Sequence, residues 1–338
     1  MEKSKEKGFF GKLVDSIKSN PIIFMLVVAA IIVGILKDNF FSWGNFGNLA
    51  SNTAVRFLIA LGVSGCLITK GTDLSAGRQV GFAACVAGIL CQRGDYASRV
   101  FPQIPEMNIG LVLIIVVLLG AFWGWLNGLI ITQLHVPPFI ATLGTQTIIY
   151  GLCLVVSDAQ PIGGFQKVYT KLITGRFGSV KSFHIPYLLL VAALFFLIFW
   201  FIYNKMTHGK YMYAIGGNEV AAEVSGVNTS QTLIRIYTTA GIMYAIAGYL
   251  LAAKSGGASA SMGNGYELEA IAGCTIGGVS TTGGIGTISG VLVGVLVFEL
   301  LKIILQFLGV NPYYNYIVQG VVIVIAVALD IRKYIAKK

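Results

Sequence analysis

Apolar segments long enough to cross a lipid bilayer follow one another along this chain, with short polar breaks between them. The runs "PIIFMLVVAAIIVGIL" (21–36) and "IGLVLIIVVLLGAFWGWLNGLII" (109–131) contain no charged residue. A spanning helix needs about 20 mainly apolar residues to cross the hydrocarbon core. Because 56% of the residues are hydrophobic and only 11% are charged, the chain has too little polar surface to cover a water-soluble core. The bilayer must therefore be its solvent.

Ten apolar segments are predicted in all, and two of them are shorter than a full span. They lie near 22–41, 54–69, 77–91, 109–133, 138–157, 186–204, 233–253, 267–279, 285–308 and 313–331. The third and the eighth are short and glycine-rich, so we expect protein rather than lipid around them. The sequence predicts an all-α polytopic membrane protein of about ten transmembrane helices with short broken helices.

The positions of lysine and arginine predict the orientation. Basic residues concentrate in the first 20 residues, in the stretch 205–235 and after residue 331. Such residues favour the cytoplasmic side, so both termini are expected to be cytoplasmic and loop 158–185 external. That loop carries four basic residues of its own, which weakens the argument. The net charge of +10 is explained by these flanks, and no nucleic-acid partner is expected.

One continuous membrane domain is predicted, in the cell (inner) membrane, with the bilayer as a partner. Residues 1–20 form either an amphipathic cytoplasmic segment on the membrane surface or a frayed basic tail. The transmembrane domain covers 21–332 and includes the external loop 158–185 and a cytoplasmic loop 205–232. Residues 333–338 form a basic cytoplasmic tail.

Glycines recur every four residues in three places. One ridge is Gly120, Gly124 and Gly128, a second begins at Gly286, and a shorter one is Gly77 and Gly81. Glycines at this spacing share one helix face and let two backbones approach closely. The ridges therefore predict tight helix packing, whether or not a pathway runs beside it.

Signatures of enzymes are missing from the sequence. It contains no GxxxxGK[ST] phosphate loop, no GxSxG and no HExxH, so we expect that this chain is not an enzyme and binds no ATP and no other cofactor. Glu299 is the one carboxylate well inside a predicted span, and Lys302 follows it at i+3, where the two can form a structural ion pair. This leaves few groups for a proton relay.

A short helix is predicted inside the cytoplasmic loop, in "YAIGGNEVAAEVSGVNTSQ" (213–231). Asn218 is a good N-cap and Gly226 a good stop. Val220 and Val224 would share one face, with Ala221 and Ala222 keeping the helix slim. This pattern is typical of a surface connector or of a helix that docks into a partner.

Five stretches together resemble a known family. They are "GTDLSAGRQVG" (71–81), "VPPFIATLGT" (136–145), "AIGGNEVAAEVSGVN" (214–228), "IGGVSTTGGIGTISG" (276–290) and "NPYYNYIVQGVVIVIAVALD" (311–330). The chain resembles the permease subunits of ATP-binding-cassette sugar importers of the ribose/galactose branch. Thr72 before Asp73, and Ala76-Gly77-Arg78 after Ser75, make it similar to permeases for galactose and methyl galactoside.

The resemblance implies a set of partners. These are a second permease subunit, with a homodimer expected, an ATPase subunit that holds ATP and Mg²⁺, and an extracytoplasmic sugar-binding protein. It also implies that the loop helix contacts the ATPase. The expected coupling residues are Gly217, Asn218, Glu219, Ala221, Ala222, Ser225 and Gly226.

Polar residues near the breaks are the candidates for the sugar pathway. They are Asp73, Ser75, Asn127, Thr142, Thr145, Thr281 and Thr282. Hydroxyl, amide and carboxylate groups are what a sugar requires, although hydroxyls in membrane helices also satisfy helix backbones. Two other functions stay open on the residues alone: an ion-coupled secondary carrier or facilitator, and a membrane assembly factor.

Overall fold

The computed structural model describes residues 21–178 and 183–335, which form thirteen helices and one small hairpin. In chain order they are α1 (Pro21–Leu36), α2 (Trp43–Ile68), α3 (Ala76–Leu90), α4 (Ile109–Gln133), α5 (Pro138–Ser157), α6 (Lys167–Thr174), β1 (Arg176–Gly178), β2 (His184–Pro186), α7 (Tyr187–Lys205), α8 (Thr207–Gly217), α9 (Glu219–Val224), α10 (Thr229–Ser255), α11 (Tyr266–Ile276), α12 (Ile288–Phe307) and α13 (Pro312–Ile335).

Each of the ten predicted segments contains a helix, and six of these helices are long and apolar enough to cross a membrane within the described residues. The six are α2, α4, α5, α7, α10 and α12. α1, α3 and α13 add shorter apolar stretches. The structure is therefore that of a polytopic helical membrane protein. The predicted amphipathic segment 1–20, and residues 336–338 of the predicted tail, lie outside the described residues.

α2 begins eleven residues before the predicted position of its span. Its cap is Ser42, whose side-chain oxygen accepts a hydrogen bond from the backbone N–H of Asn45 at 3.2 Å. The residues that follow are mostly small or polar, so hydropathy alone does not reveal them as helix. Side-chain caps also start α4 at Asn108, α10 at Asn228 and α12 at Thr287.

α10 lies at the centre of the bundle and contacts α2, α3 and α4. The predicted glycine ridge of α4 makes its closest approach there. A β-carbon on Gly124 would overlap the backbone of Tyr237, and one on Gly128 would lie 2.7 Å from the Cα atom of Ile234. The packing prediction for this ridge is confirmed, because only glycine allows these two helices to touch through their backbones.

The two short predicted segments become α3 and α11, and both follow a break in the chain. The loop 256–265 between α10 and α11 packs against α3, where Gly77 and Gly81 face the backbones of Gly263 and Met262. α11 then packs along α12. Both short helices are thus enclosed by protein, as short glycine-rich segments in a membrane require.

The loops lie at two opposite ends of the bundle. β2 leads into α7 at one end, and the imidazole of His184 there lies against Gly47 in the first turns of α2. α7 crosses to the other end, where α8 and α9 precede α10. The predicted external loop 158–185 and cytoplasmic loop 205–232 therefore lie at opposite ends of the same helix.

Candidate functional site

The turn before α3 is organised by the carboxylate of Asp73. Its Oδ1 atom accepts two hydrogen bonds from Ser75, one from the backbone N–H at 2.9 Å and one from the hydroxyl at 2.5 Å. Ser75 is the residue that precedes the first helical residue, Ala76. The carboxylate thus satisfies the backbone donor of Ser75 at the positive end of the helix.

Ser75 also joins three helices. Its Oγ atom accepts hydrogen bonds from the side-chain amides of Gln79 in α3, at 2.8 Å, and of Asn127 in α4, at 2.9 Å. The oxygen of Asn127 in turn accepts one from the hydroxyl of Thr145 in α5, at 2.7 Å. The Ser75 hydroxyl therefore links α3 to α4, and Asn127 extends the link to α5.

Thr142 fastens the turn to the first turns of α5. Its Oγ1 atom accepts a hydrogen bond from the backbone N–H of Leu74 at 3.1 Å, and the same hydroxyl lies within bonding distance of the carbonyls of Thr72 and Pro138. The structure thus brings five predicted pathway residues into one network. We call these five and Gln79 the Ser75 network: Asp73, Ser75, Gln79, Asn127, Thr142 and Thr145.

The Ser75 network is closed to solvent. None of its six side chains is more than 2% exposed. Asp73 Oδ2 and Gln79 Oε1 accept no hydrogen bond within the described residues. In this conformation the network holds helices together, and its polar groups can meet a sugar only if those helices separate.

The candidate pathway residues did not include Arg78 and Gln79 of α3. Arg78 does not pair with Asp73: it donates to the side chain of Asn264 at 2.8 Å and stacks on the ring of Tyr150 at 4.1 Å. Gln79 was missed, although its position one turn after Ser75 on the same helix face is a signal that could have found it.

Thr281 and Thr282 lie in a different place. They belong to the loop between α11 and α12, which is fastened to the end of α2 by a 2.8 Å bond from Gly284 N–H to Ile68 O. The Ser75 network includes neither threonine in the part of the chain that the structure describes. Their loop instead adjoins α8, since Tyr213 donates to the Gly286 carbonyl at 2.8 Å.

The predicted short helix is α9. Asn218 Oδ1 accepts a hydrogen bond from the Ala221 N–H at 3.0 Å, and Gly226 adopts a φ of 87° just after the helix. Both predicted ends are confirmed. Only Ala222 is buried, so Glu219, Ala221, Glu223 and Ser225 face outward with the two valines.

A cavity of about 470 Å³ lies between α9 and the loop that joins α4 to α5. Glu219 and Glu223 line one side of it, and Lys70 and His135 line another. Its lining also includes Tyr237, whose hydroxyl lies against Gly71 near the turn of the Ser75 network. This space therefore extends from the exposed helix toward the buried network.

A second cluster joins charges from three helices. Arg56 of α2 and Lys302 of α12 each contact Glu269 of α11 at 2.7 Å, and Lys302 contacts Glu299 at 3.0 Å. The Glu299–Lys302 pair was predicted, whereas Arg56 was missed because its partners are far away in sequence. Within residues 21–178 and 183–335, no three His, Cys, Asp or Glu side chains are grouped as metal ligands.

Comparison with known proteins gives one family and a set of full-length relatives. Residues 45–327 match the family described as the permease component of branched-chain amino acid transport systems. The galactose/methyl galactoside import permease protein MglC of Haemophilus influenzae is 44% identical over 330 residues, which are 97% of this chain and 98% of that protein.

Two further relatives extend the similarity. MglC of Escherichia coli K12 is 45% identical over 325 residues, 95% of this chain and 96% of that protein. The ribose import permease protein RbsC of Bacillus subtilis is 39% identical over 309 residues, 91% of each chain. No solved structure gave a significant match.

These matches agree with the helices described above. The six long apolar helices and the relatives place the protein in the cell membrane, as a transport component rather than an enzyme. The matched residues 45–327 include the short helices α3 and α11, the helix α9 and every residue of the Ser75 network. The chain belongs to this family of permease components of membrane transport systems.

Proposed function

We propose that this chain is the membrane-spanning subunit of an ATP-driven importer of a monosaccharide, galactose or methyl galactoside. The support for this sugar is that the two MglC relatives are 44% and 45% identical over nearly the whole chain, against 39% for the ribose permease. The pathway would work by alternating access, with an extracytoplasmic sugar-binding protein as the source of the sugar.

The proposed arrangement has ten spans, with both termini and α9 on the cytoplasmic side. Residues 158–185 would be external, and a second copy of the chain would complete the pathway. ATP and Mg²⁺ would bind in a separate ATPase subunit and not in this chain. The basic residues near α8 and after residue 331 support this orientation.

α9 is the observation that supports an ATPase partner. Val220 is 70% exposed and Val224 is 85% exposed, and they lie on a capped helix outside the six long apolar helices. Two exposed valines one turn apart on a slim helix form a small apolar face. Glu219 and Glu223 beside them would give this face charged neighbours that can pair with basic residues of a partner.

Two substitutions on that face test the coupling. Val220→Asp together with Val224→Asp adds charge to exposed positions, so the fold should be retained while the apolar contact is lost. We expect uptake of labelled methyl galactoside to fall at least about tenfold, since tenfold corresponds to only 1.4 kcal/mol of contact energy. Uptake would be measured in cells that also make the ATPase and the binding protein.

Val168→Asp, on α6 at the opposite end, is the matched control. Val168 is 65% exposed, and the same change there should leave uptake within about twofold, as expected for a surface substitution. If the α9 double variant reaches the membrane at normal level and still transports normally, the proposed ATPase contact is wrong. Uptake that needs no ATPase subunit would contradict the proposed function as a whole.

For the sugar pathway, we propose that the Ser75 network lies beside the route and that Thr281 and Thr282 lie nearer its cytoplasmic end. The network contains carboxylate, amide and hydroxyl groups joined in sequence by hydrogen bonds of 2.5 to 2.9 Å. The cavity beside α9 lies between this network and the ATPase-facing helix. Separation of α3, α4 and α5 would turn these groups toward a passing sugar.

The ion-coupled carrier is the weaker alternative. Such carriers use carboxylates that take up and release protons, but Glu269 and Glu299 are paired with Arg56 and Lys302. Asp73 accepts two hydrogen bonds at the start of a helix. Buried carboxylates held in this way are structural in character.

A further inference from the structure

A second cavity lies at the end of the molecule where α2 begins. Its volume is about 240 Å³, which leaves room for several water molecules. It is bounded by the first turns of α2, the end of α6, the hairpin and the end of α10. Its polar lining consists of Asn48, Ser51, Thr174, Arg176, His184 and Lys254.

The charged side chains of this lining, Arg176 and Lys254, are both positive. Arg176, His184 and Lys254 come from three separate elements, and no aspartate or glutamate lines the cavity among the described residues. Arg176 forms no ion pair within the described chain, and Lys254 donates a hydrogen bond to Asn52. Basic groups that converge on a cavity without an acid form a site for an anion.

Two local features keep the cavity polar and open. Gly47 has no side chain, and this leaves room for the imidazole of His184, which a β-carbon there would overlap. Asn48, Ser51 and Thr174 add amide and hydroxyl groups between the basic ones. Guanidinium and ammonium donors surrounded by hydroxyls are a common arrangement for the oxygens of a phosphate.

Aromatic side chains precede two of the lining residues in the chain, Phe46 before Gly47 and Phe183 before His184. Trp43 packs edge-on against Phe183 with 5.3 Å between ring centroids and lies 6.1 Å from Phe46. All three are more than 40% exposed. Tryptophan and other aromatic residues gather at the level of the lipid headgroups. α2 has 26 residues and is about 39 Å long at about 1.5 Å per residue, so its first turns extend beyond the hydrocarbon core.

We propose that this cavity is a binding site for a phosphate group, supplied by a lipid headgroup or by free phosphate. Arg176 and Lys254 provide the charge, and the hydroxyl and amide groups orient the phosphate oxygens. The exposed rings of Trp43, Phe46 and Phe183 favour the lipid. Its acyl chains would lie next to Trp43 while the phosphodiester enters the cavity. This site is separate from the sugar pathway and from α9.

The test uses the purified full-length chain in a neutral detergent, with the midpoint of thermal unfolding as the measurement. Four additions are compared: sodium phosphate, sodium chloride at equal ionic strength, dioctanoyl phosphatidylglycerol and dioctanoylglycerol. We expect phosphatidylglycerol to raise the midpoint and the phosphate-free dioctanoylglycerol to have no effect, because ligand binding to the folded state stabilises it.

The double variant Arg176→Gln with Lys254→Gln removes the proposed charges. It should need at least about tenfold more phosphatidylglycerol for half of the effect, as expected from the loss of charge-assisted hydrogen bonds. Lys167→Gln with Lys171→Gln is the matched control: both lysines are exposed on α6 and neither lines the cavity. If the double variant does not purify, Arg176→Gln alone is compared with Lys171→Gln.

The comparison of the four additions identifies the source of the phosphate group. Stabilisation by phosphatidylglycerol but not by sodium phosphate identifies a headgroup site, and equal stabilisation by sodium phosphate identifies a site for free phosphate. The proposal is overturned if dioctanoylglycerol acts as strongly as phosphatidylglycerol. It is also overturned if the cavity and control variants respond alike, or if neither phosphatidylglycerol nor sodium phosphate raises the midpoint.

Discussion

Asp73 shows how one buried carboxylate can serve structure through geometry rather than charge. Only its Oδ1 atom is used, and it accepts both hydrogen bonds from Ser75. An asparagine has an oxygen at the same position and can accept the same two bonds. Charge and hydrogen bonding can therefore be separated experimentally at this residue.

Asp73→Asn is expected to keep both the unfolding midpoint and sugar uptake close to the wild-type values. Asp73→Ala leaves two Ser75 donors without their acceptor and should lower the free energy of unfolding by about 1 to 3 kcal/mol per buried unsatisfied group. Thermal unfolding in detergent and uptake of labelled sugar measure the two effects. Loss of uptake in Asp73→Asn, at unchanged stability, would show that the charge itself is needed.

The residue-level site was predictable where partners are close in sequence. The two ends of α9 were predicted from Asn218 and Gly226, which are eight positions apart, and the structure has both. The bonds from Asn127 to Ser75 and from Arg56 to Glu269 span large separations. Their residue types indicate polar groups in a membrane, but only the packing of helices shows which groups meet.

At the scale of the elements, the contact between α4 and α10 depends on the absence of side chains. Gly124→Val would force a branched side chain into the backbone of Tyr237. Overpacking of this kind costs typically about 1 to 3 kcal/mol, and more is expected here because the obstacle is backbone. The midpoint of thermal unfolding should fall clearly.

Gly151→Val in α5 is the control for that prediction. No atom lies within 4 Å of the position where its β-carbon would be, so the same change should shift the midpoint little. Similar losses at both glycines would mean that valine acts through helix propensity and not through the helix contact.

The ion pairs among Arg56, Glu269, Glu299 and Lys302 join α2, α11 and α12. The net charge of this group gives a second prediction for these helices. Arg56→Met leaves the buried Glu299 and the half-buried Glu269 with Lys302 as their remaining cation in the cluster. Removing one partner of a buried ion pair costs about 3 to 5 kcal/mol. The double variant Arg56→Met with Glu269→Gln restores neutrality and should unfold at a higher temperature than Arg56→Met alone.

Hydropathy indicates the helices that contact lipid, and glycine spacing indicates the helices that pack against each other. Neither signal shows where a helix extends beyond the hydrocarbon core. α2 starts at Trp43, yet the predicted span starts at 54, because the first turns contain Asn45, Asn48 and Asn52. Such residues resemble a loop in a hydropathy profile, while Ser42 and the packing of the hairpin keep them helical.

For the whole molecule, the main prediction concerns its orientation. With ten spans and cytoplasmic termini, a single cysteine introduced at Val168 should react with a membrane-impermeant thiol reagent added outside intact cells. One introduced at Val224 should react only after the membrane is opened. The five native cysteines are all buried in the described structure, which keeps the background low. The opposite pattern would contradict the proposed topology.

The helical membrane fold was predictable because every segment that contacts lipid must be apolar and must satisfy its own backbone. The enclosure of α3 and α11 was also predictable, from their short length and their glycines. Hydropathy does not show which helix lies at the centre of the bundle. α10 has a polar first half with Thr229, Ser230 and Gln231 at its start, and its central position follows from the helices that surround it.

α10 begins three residues after Gly226 at the end of α9 and continues without a break to Ser255. At about 1.5 Å per residue, its 27 residues form a rod about 40 Å long. If a partner tilts the α9 end by about 5°, simple trigonometry on that rod moves the other end by about 3.5 Å. That end leads into the loop against Gly77 and Gly81 of α3. A small rotation at one membrane surface would thus become a side-chain-sized displacement at the far end of the same helix.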